Sequence, residues 1–353
     1  MNPPIHVPEK PMRHKVFALV HTVLILTALS ACDNVEWGGV DLAMEASSDP
    51  SRWNVAGDSE TTEEFMEPLE LGPVLYMVDR RSEEAVALPI AELSNGEYRP
   101  LPSEGEVRDF EERFIHQTLA PGDELVLFHQ GRRAGTFLTD TAREPDGSYC
   151  RARPRVQGDL ELREGAASAQ LFLALAKGDH PPFHHAPYGP MTVSEEDDSL
   201  ADALATRLLT RVEAPWPPSV PEIRRNVQVL PLGQPERNAI AGSFIYDDVL
   251  EVGAAPSLAY SLFFLAAEGA EEVGYETLWY WYQRQADGGK AWPSLVGSIA
   301  WSPEGEAEDA VLEVFGEDTS WFAVVGTRDG TWDLLFQDPC AAYTSIGRTG
   351  TGP

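Results

Sequence analysis

From Gly72 onward the chain alternates short apolar runs with turn residues, the pattern of β-structure. Val74-Leu75-Tyr76-Met77-Val78 is apolar and β-prone. Ala85 to Ile90 follows, then Tyr98 to Leu101 after the Asn95-Gly96 turn signal. Phe110, Phe114 and Ile115 mark a short amphipathic piece. Glu124 to His129 and Gly135 to Thr139 flank Gln130-Gly131-Arg132-Arg133-Ala134, which predicts a hairpin. Ser148 to Val156, carrying Cys150, and Asp159 to Leu162 read as further strands. Ala169 to Leu175 fits a strand or a helix by pattern.

The pattern then changes period. Leu200, Leu204, Leu208 and Val212 recur every four residues, so Glu195 to Val212 is predicted as an amphipathic helix. Ser194-Glu195-Glu196-Asp197 reads as its capping box, and the acids of the first turn suit the helix dipole. Pro215, Pro217 and Pro218 end it. Beyond them Val227 to Leu230, Ala239 to Tyr246, Leu258 to Leu265 and Tyr275 to Tyr282 are aromatic and apolar. Ala310 to Phe315, Trp321 to Val325 and Trp332 to Phe336 predict an antiparallel meander with Asp329-Gly330 at its last turn.

These elements give a mainly β fold: two packed antiparallel β regions, sandwich or barrel-like, with one connecting α-helix. The expected division is 72–178 for the first β region, 179–221 for a Pro/His loop, helix and linker, and 222–353 for the second. No fixed-period repeat supports a solenoid or propeller.

Ahead of this body the pattern is different. Lys10, Arg13 and Lys15 precede an apolar run, Val16 to Leu29, that is shorter than the roughly 20 residues a membrane span needs. Leu29-Ser30-Ala31-Cys32 follows. The stretch resembles the signal peptide and lipobox of bacterial lipoproteins. The resemblance implies removal of residues 1–31, lipidation of Cys32 and a place in the cell envelope facing periplasm or exterior. Residues 32–71 are acidic, with Arg52 their one basic residue, and read as a flexible tether.

The formal net charge of −31 disfavours phosphate backbones and anionic lipid surfaces as partners, so nucleic acid is not expected. Of the three cysteines, lipidation of Cys32 leaves Cys150 and Cys340, and an oxidising compartment predicts a disulfide between them.

Candidate chemistry is sparse. His180, His184 and His185 gather three imidazoles within six residues, a possible zinc set. Pro181 and Pro182 deny the helix that would align them. Trp279 and Trp281 share one face of a strand and form a possible ligand platform for sugar rings; filling the core is the competing reading. Trp301 to Asp309 is similar to the acidic calcium loops of FG-GAP-type β proteins, though Trp301, Pro303 and Ala307 stand where that pattern wants Asp or Gly. Glu304, Glu306, Glu308 and Asp309 remain as oxygen donors, against the six to eight that calcium takes. A solvated acidic turn is the alternative. There is no G-x-S-x-G elbow, P-loop or C-x-x-C.

The expectation is therefore a lipid-anchored, acidic β protein with a binding or envelope-structural role and no cofactor. Its partners are the membrane, through the lipid on Cys32, and an envelope protein or glycan. The alternatives are an exported metal-assisted hydrolase using the His180 to His185 loop and a carbohydrate-binding module using Trp279 and Trp281.

Overall fold

The computed structural model describes residues 68–80, 84–179, 188–233, 237–246, 258–269, 274–287, 291–301, 308–328, 330–339 and 348–350. The chain divides into two compact units, Met1–Glu64 and Phe65–Pro353, and the described residues belong to the second. Cys32, His180, His184, His185 and Cys340 lie outside them.

The first half is a barrel. Its strands are β1 (Val74–Asp79), β2 (Ala85–Ser94), β3 (Glu97–Arg99), β4 (Glu124–His129), β5 (Arg132–Asp146), β6 (Arg153–Leu162) and β7 (Leu171–Ala176). They pair antiparallel in the order β1-β7-β4-β5-β6-β2-β3, and β1 also pairs with β2, so six strands close on themselves. Closure removes the exposed edges that an open sheet of this size would carry. Helix α1 (Phe110–Thr118) packs against the interior by Phe110 and Phe114, beside Tyr76, Phe137 and Phe172.

The burial explains the uninterrupted apolar runs. In β1, Val74, Tyr76 and Val78 face the barrel interior, while Leu75 and Met77 face outward. β4 and β7 repeat the arrangement: Leu125, Leu127, Phe172 and Ala174 point in, and Val126, Phe128, Leu173 and Leu175 point out. A strand buried on both faces needs no polar alternation.

The outward face of the barrel is covered by the second half. β12 (Trp292–Ala300), β13 (Glu308–Phe315), β14 (Ser320–Arg328) and β15 (Thr331–Gln337) form a four-stranded antiparallel sheet in sequence order. One of its faces, with Val296, Ile299, Val311, Phe322 and Val324, lies on the barrel. The other face lies on a five-stranded sheet of β8 (Arg224–Leu232), β9 (Arg237–Tyr246), β10 (Tyr260–Glu268), β11 (Tyr275–Arg284) and β16 (Arg348–Gly350). Helix α2 (Glu195–Arg211), with the short α3 (Val220–Ile223), covers that sheet's far side through Leu204, Ala205, Leu208 and Leu209. The order of layers is thus helix, sheet, sheet, barrel. The two β regions share one core through the four-stranded sheet, which is buried on both faces.

Local signals account for the element ends. The predicted capping box closes α2: the Ser194 N–H donates to Asp197 Oδ2 at 2.8 Å, and the Asp197 N–H to Ser194 Oγ at 3.2 Å. Gln130 and Gly131 turn the β4–β5 hairpin with φ of 50° and 69°, the left-handed pair that matches strand twist. Gln130 holds this conformation because its side chain is fixed at both ends. Its Nε2 donates to Met191 O at 2.9 Å and Val229 O at 3.0 Å, and its Oε1 accepts from Met191 N at 2.9 Å. One expectation is corrected. β6 begins at Arg153, so Cys150 is not in a strand of the barrel. Tyr149 and Cys150 turn away toward β14, where Tyr149 bridges Ser320 in parallel and the Cys150 N–H donates to Ser320 O at 2.9 Å.

Candidate functional site

Two sequence-level candidates change character in the structure. Trp279 and Trp281 do share a face of β11, but that face is the inside of the sandwich, where each is 1% exposed. Their rings meet edge to face at 6.4 Å. They are core, and the ligand platform is corrected: paired sheets bury large aromatics because that removes the most apolar area from water. Tyr280 and Tyr282, on the opposite face, are buried beneath α2.

Asp309, at the end of the acidic stretch, is not in a solvated turn. It is fully buried. Arg328 donates to its Oδ1 at 2.7 Å and to its Oδ2 at 3.2 Å; Tyr98 OH and Trp301 Nε1 donate to Oδ2 at 2.7 and 2.5 Å. Its lone pairs are taken by protein donors. Neighbouring Glu308 accepts from the Gly233 N–H at 2.7 Å. Glu304 and Glu306 lie outside the described residues. Among the described residues no group of three His, Cys, Asp or Glu is placed to hold a metal ion.

Asp309 belongs to a polar seam between barrel and sandwich. Tyr98 of β3 reaches Asp309 of β13. Tyr149, ahead of β6, donates to Glu313 Oε1 at 2.6 Å. Arg153 of β6 pairs with Asp338 Oδ2 at 2.5 Å, with 4% and 1% of the two side chains exposed. Arg153 also donates to Pro89 O and Ile90 O and lies over the Phe322 ring. Asp338 accepts from the Phe322 N–H at 2.9 Å. In the pairs Tyr98–Asp309, Tyr149–Glu313 and Arg153–Asp338 the carboxylate comes from the sandwich and the donor from the first half, while Arg328, Trp301 and the Phe322 N–H add donors from the sandwich itself. Burial, then the charge of Asp309, pushes the Tyr98 hydroxyl well above the ordinary phenol range, so it stays a donor. This chemistry is structural: buried charges are tolerated when paired, and here only Arg153 Nε and Asp338 Oδ1 lack a partner among the described residues.

The cavity of interest lies over the start of α1, and seam residue Arg153 is part of its lining. Asp109, the residue before the helix, sits at φ 53° and caps nothing with its side chain. Glu104 substitutes for it from the preceding loop. Its carboxylate accepts from the Phe110 N–H at 3.2 Å and the Glu111 N–H at 2.8 Å, meeting donors that the helix cannot satisfy. The loop is held by Glu106, which accepts from the Ser103 N–H and hydroxyl, both at 2.8 Å, and faces Arg151 at 3.6 Å.

Under this loop is a slot of about 260 Å³, walled by Leu101, Phe110, Ala152 and Pro154. A second cavity of about 510 Å³ carries Asp109, Glu112, His116, Arg143 and Glu144. Glu104 and Glu111 line both, so the slot and this second cavity, the shelf, adjoin. Burial, with the charge of Glu104 added, raises the Glu111 carboxyl above its usual range. Sequence reading missed the groove because its walls come from three separate stretches; the one legible signal was the amphipathic piece at Phe110 and Phe114.

The chain matches no protein-family model, no curated protein and no solved structure. The groove's meaning has to come from its own chemistry. No helix among the described residues is long and apolar enough to cross a membrane.

Proposed function

We propose that this is an exported, lipid-anchored binding protein of the bacterial cell envelope, tethered through Cys32 and presenting the α1 groove to a partner. Basic residues, an apolar core and the Leu29-Ser30-Ala31-Cys32 quartet support the anchor. The acidic stretch that follows suits a tether. The observation that carries the binding role is the contrast between two sets of acids. Asp309, Glu313 and Asp338 are buried and engaged within the fold. Glu111, Glu112 and Glu144 line an open groove with no ion pair among the described residues.

We also propose that Cys150 pairs with Cys340. The Cys150 N–H is held by Ser320 at the start of β14. Asp338, just before Cys340, exchanges hydrogen bonds with Phe322 of the same strand. Cys150 and Asp338 thus both meet β14 near its start.

Intact-mass analysis of membrane-extracted protein, joined to site-specific photo-crosslinking, tests the reading. A photoreactive residue at position 152 in cells should give one adduct of discrete mass on an acylated chain, lost when Glu111 and Glu112 are changed to Lys. An unacylated chain contradicts the anchor. Absence of any adduct dependent on those residues contradicts the binding role.

A further inference from the structure

The groove has two parts with different demands. The slot is apolar and, at about 260 Å³, falls below the roughly 300–1,000 Å³ of sites that enclose a whole small ligand. It suits one large side chain rather than a cofactor. The shelf asks for positive charge. Its own cations are committed: Arg143 pairs with Glu84 at 2.9 Å, and Arg108 faces Asp109 at 3.2 Å. Arg151, at the slot, is engaged with Glu106 and with Leu101 O at 2.8 Å. Glu104 cannot turn away from Glu111, because two helix N–H groups fix its carboxylate. The like charges therefore stay crowded, and an arriving cation relieves them.

We infer that the slot and shelf together dock an extended basic segment of a partner polypeptide, with one apolar residue seated among Leu101, Phe110, Ala152 and Pro154 and the flanking Lys or Arg residues on Glu111, Glu112 and Glu144. This rests on the binding reading above and names its partner class. Anionic lipid and nucleic acid are disfavoured by the same acids and by the net charge of −31. The apolar anchor supplies burial, and the flanking charges supply orientation and a fast, salt-sensitive encounter.

The test uses the full chain with Cys32→Ser and three fluorescently labelled peptides: Lys-Lys-Phe-Lys-Lys, Lys-Lys-Ser-Lys-Lys and Glu-Glu-Phe-Glu-Glu. Fluorescence anisotropy at low salt should give binding of the first at least about tenfold tighter than of either other peptide. Raising the salt should weaken it, since exposed charges are screened. Ala152→Trp, an exposed position that fills the slot, should abolish the preference for Phe over Ser. Glu111→Gln with Glu112→Gln should weaken both basic peptides alike. Equal affinity for the Phe and Ser peptides, or no effect of Ala152→Trp, overturns the inference. If position 152 crosslinks a partner in cells while Lys-Lys-Phe-Lys-Lys does not bind, the partner class is wrong and the binding role stands. If the peptide binds while the wild-type chain extracted from cells carries no acyl groups, only the anchor falls.

Discussion

The Tyr149 hydroxyl donates to Glu313 Oε1 at 2.6 Å, joining positions 164 residues apart in the chain. The Tyr149 ring stacks on Phe322, with centroids 5.0 Å apart and planes at 17°. One residue thus satisfies a buried carboxylate and packs on the neighbouring strand. The arrangement locks the barrel to the sandwich, and it sets up a contrast between two tyrosines.

Tyr149→Phe keeps the stacking and leaves Glu313 without that donor. The expected cost is about 1–3 kcal/mol in urea unfolding, that of losing a hydrogen bond to a buried charged acceptor. Tyr76 is the opposite case. Its hydroxyl is buried inside the barrel with no hydrogen-bond partner among the described residues. Tyr76→Phe should therefore stabilise, by about 1 kcal/mol. A neutral or stabilising Tyr149→Phe would contradict the assignment of the seam, and a destabilising Tyr76→Phe would contradict the unpartnered hydroxyl.

Arg328→Ala should also destabilise. It leaves the fully buried Asp309 without its counter-charge; because Arg328 is 37% exposed and water can partly replace it, the expected loss is about 1–3 kcal/mol, below that of a pair buried on both sides. A loss below about 1 kcal/mol would place this pair with ordinary surface salt bridges.

How much of this was legible beforehand follows from strand parity. The run Ala310 to Phe315 announced β13, and the Asp329-Gly330 signal announced the turn after β14. Parity also places Asp309, Val311 and Glu313 on one face. Two acids on a face read as solvent, yet that face lies against the barrel. The reason is partner-dependent: Tyr98 and Tyr149 supply the donors, and no local pattern links them to β13. The same limit hid the groove, since Glu104, Ala152 and Glu144 meet only after closure of the barrel. By contrast, the capping box at Ser194 was readable because both of its bonds form within four residues.

His129 gives a pH prediction. Burial lowers its pKa below 6.5, and its Nδ1 is 2.6 Å from the Tyr188 hydroxyl. The folded protein takes up this proton less readily than the unfolded chain. Its contribution to stability is therefore intact above about pH 6.5 and is lost as the pH falls through the folded-state value. NMR titration of the His129 ring should give a midpoint below 6.5. A midpoint above it would mean that the imidazole is solvated or paired with a carboxylate.

For the disulfide, peptide mapping of envelope-extracted protein without reductant should recover a peptide containing Cys150 linked to one containing Cys340. Two alkylatable thiols would rule the pairing out. Reduction should destabilise the body by on the order of 4–5 kcal/mol in the chain-entropy account of so long a loop.

The central claim is that barrel and sandwich are one cooperative body, held by the seam of Tyr98–Asp309, Tyr149–Glu313 and Arg153–Asp338, and able to present the groove on a rigid frame. Pulsed hydrogen exchange across a urea series tests it most directly, with peptides from β4 and β7 reporting on the barrel and from β10 and β13 on the sandwich. The account predicts that both sets lose protection together, at one denaturant concentration, and that Tyr149→Phe moves them down together. Barrel peptides that exchange at lower urea while β10 stays protected would contradict it.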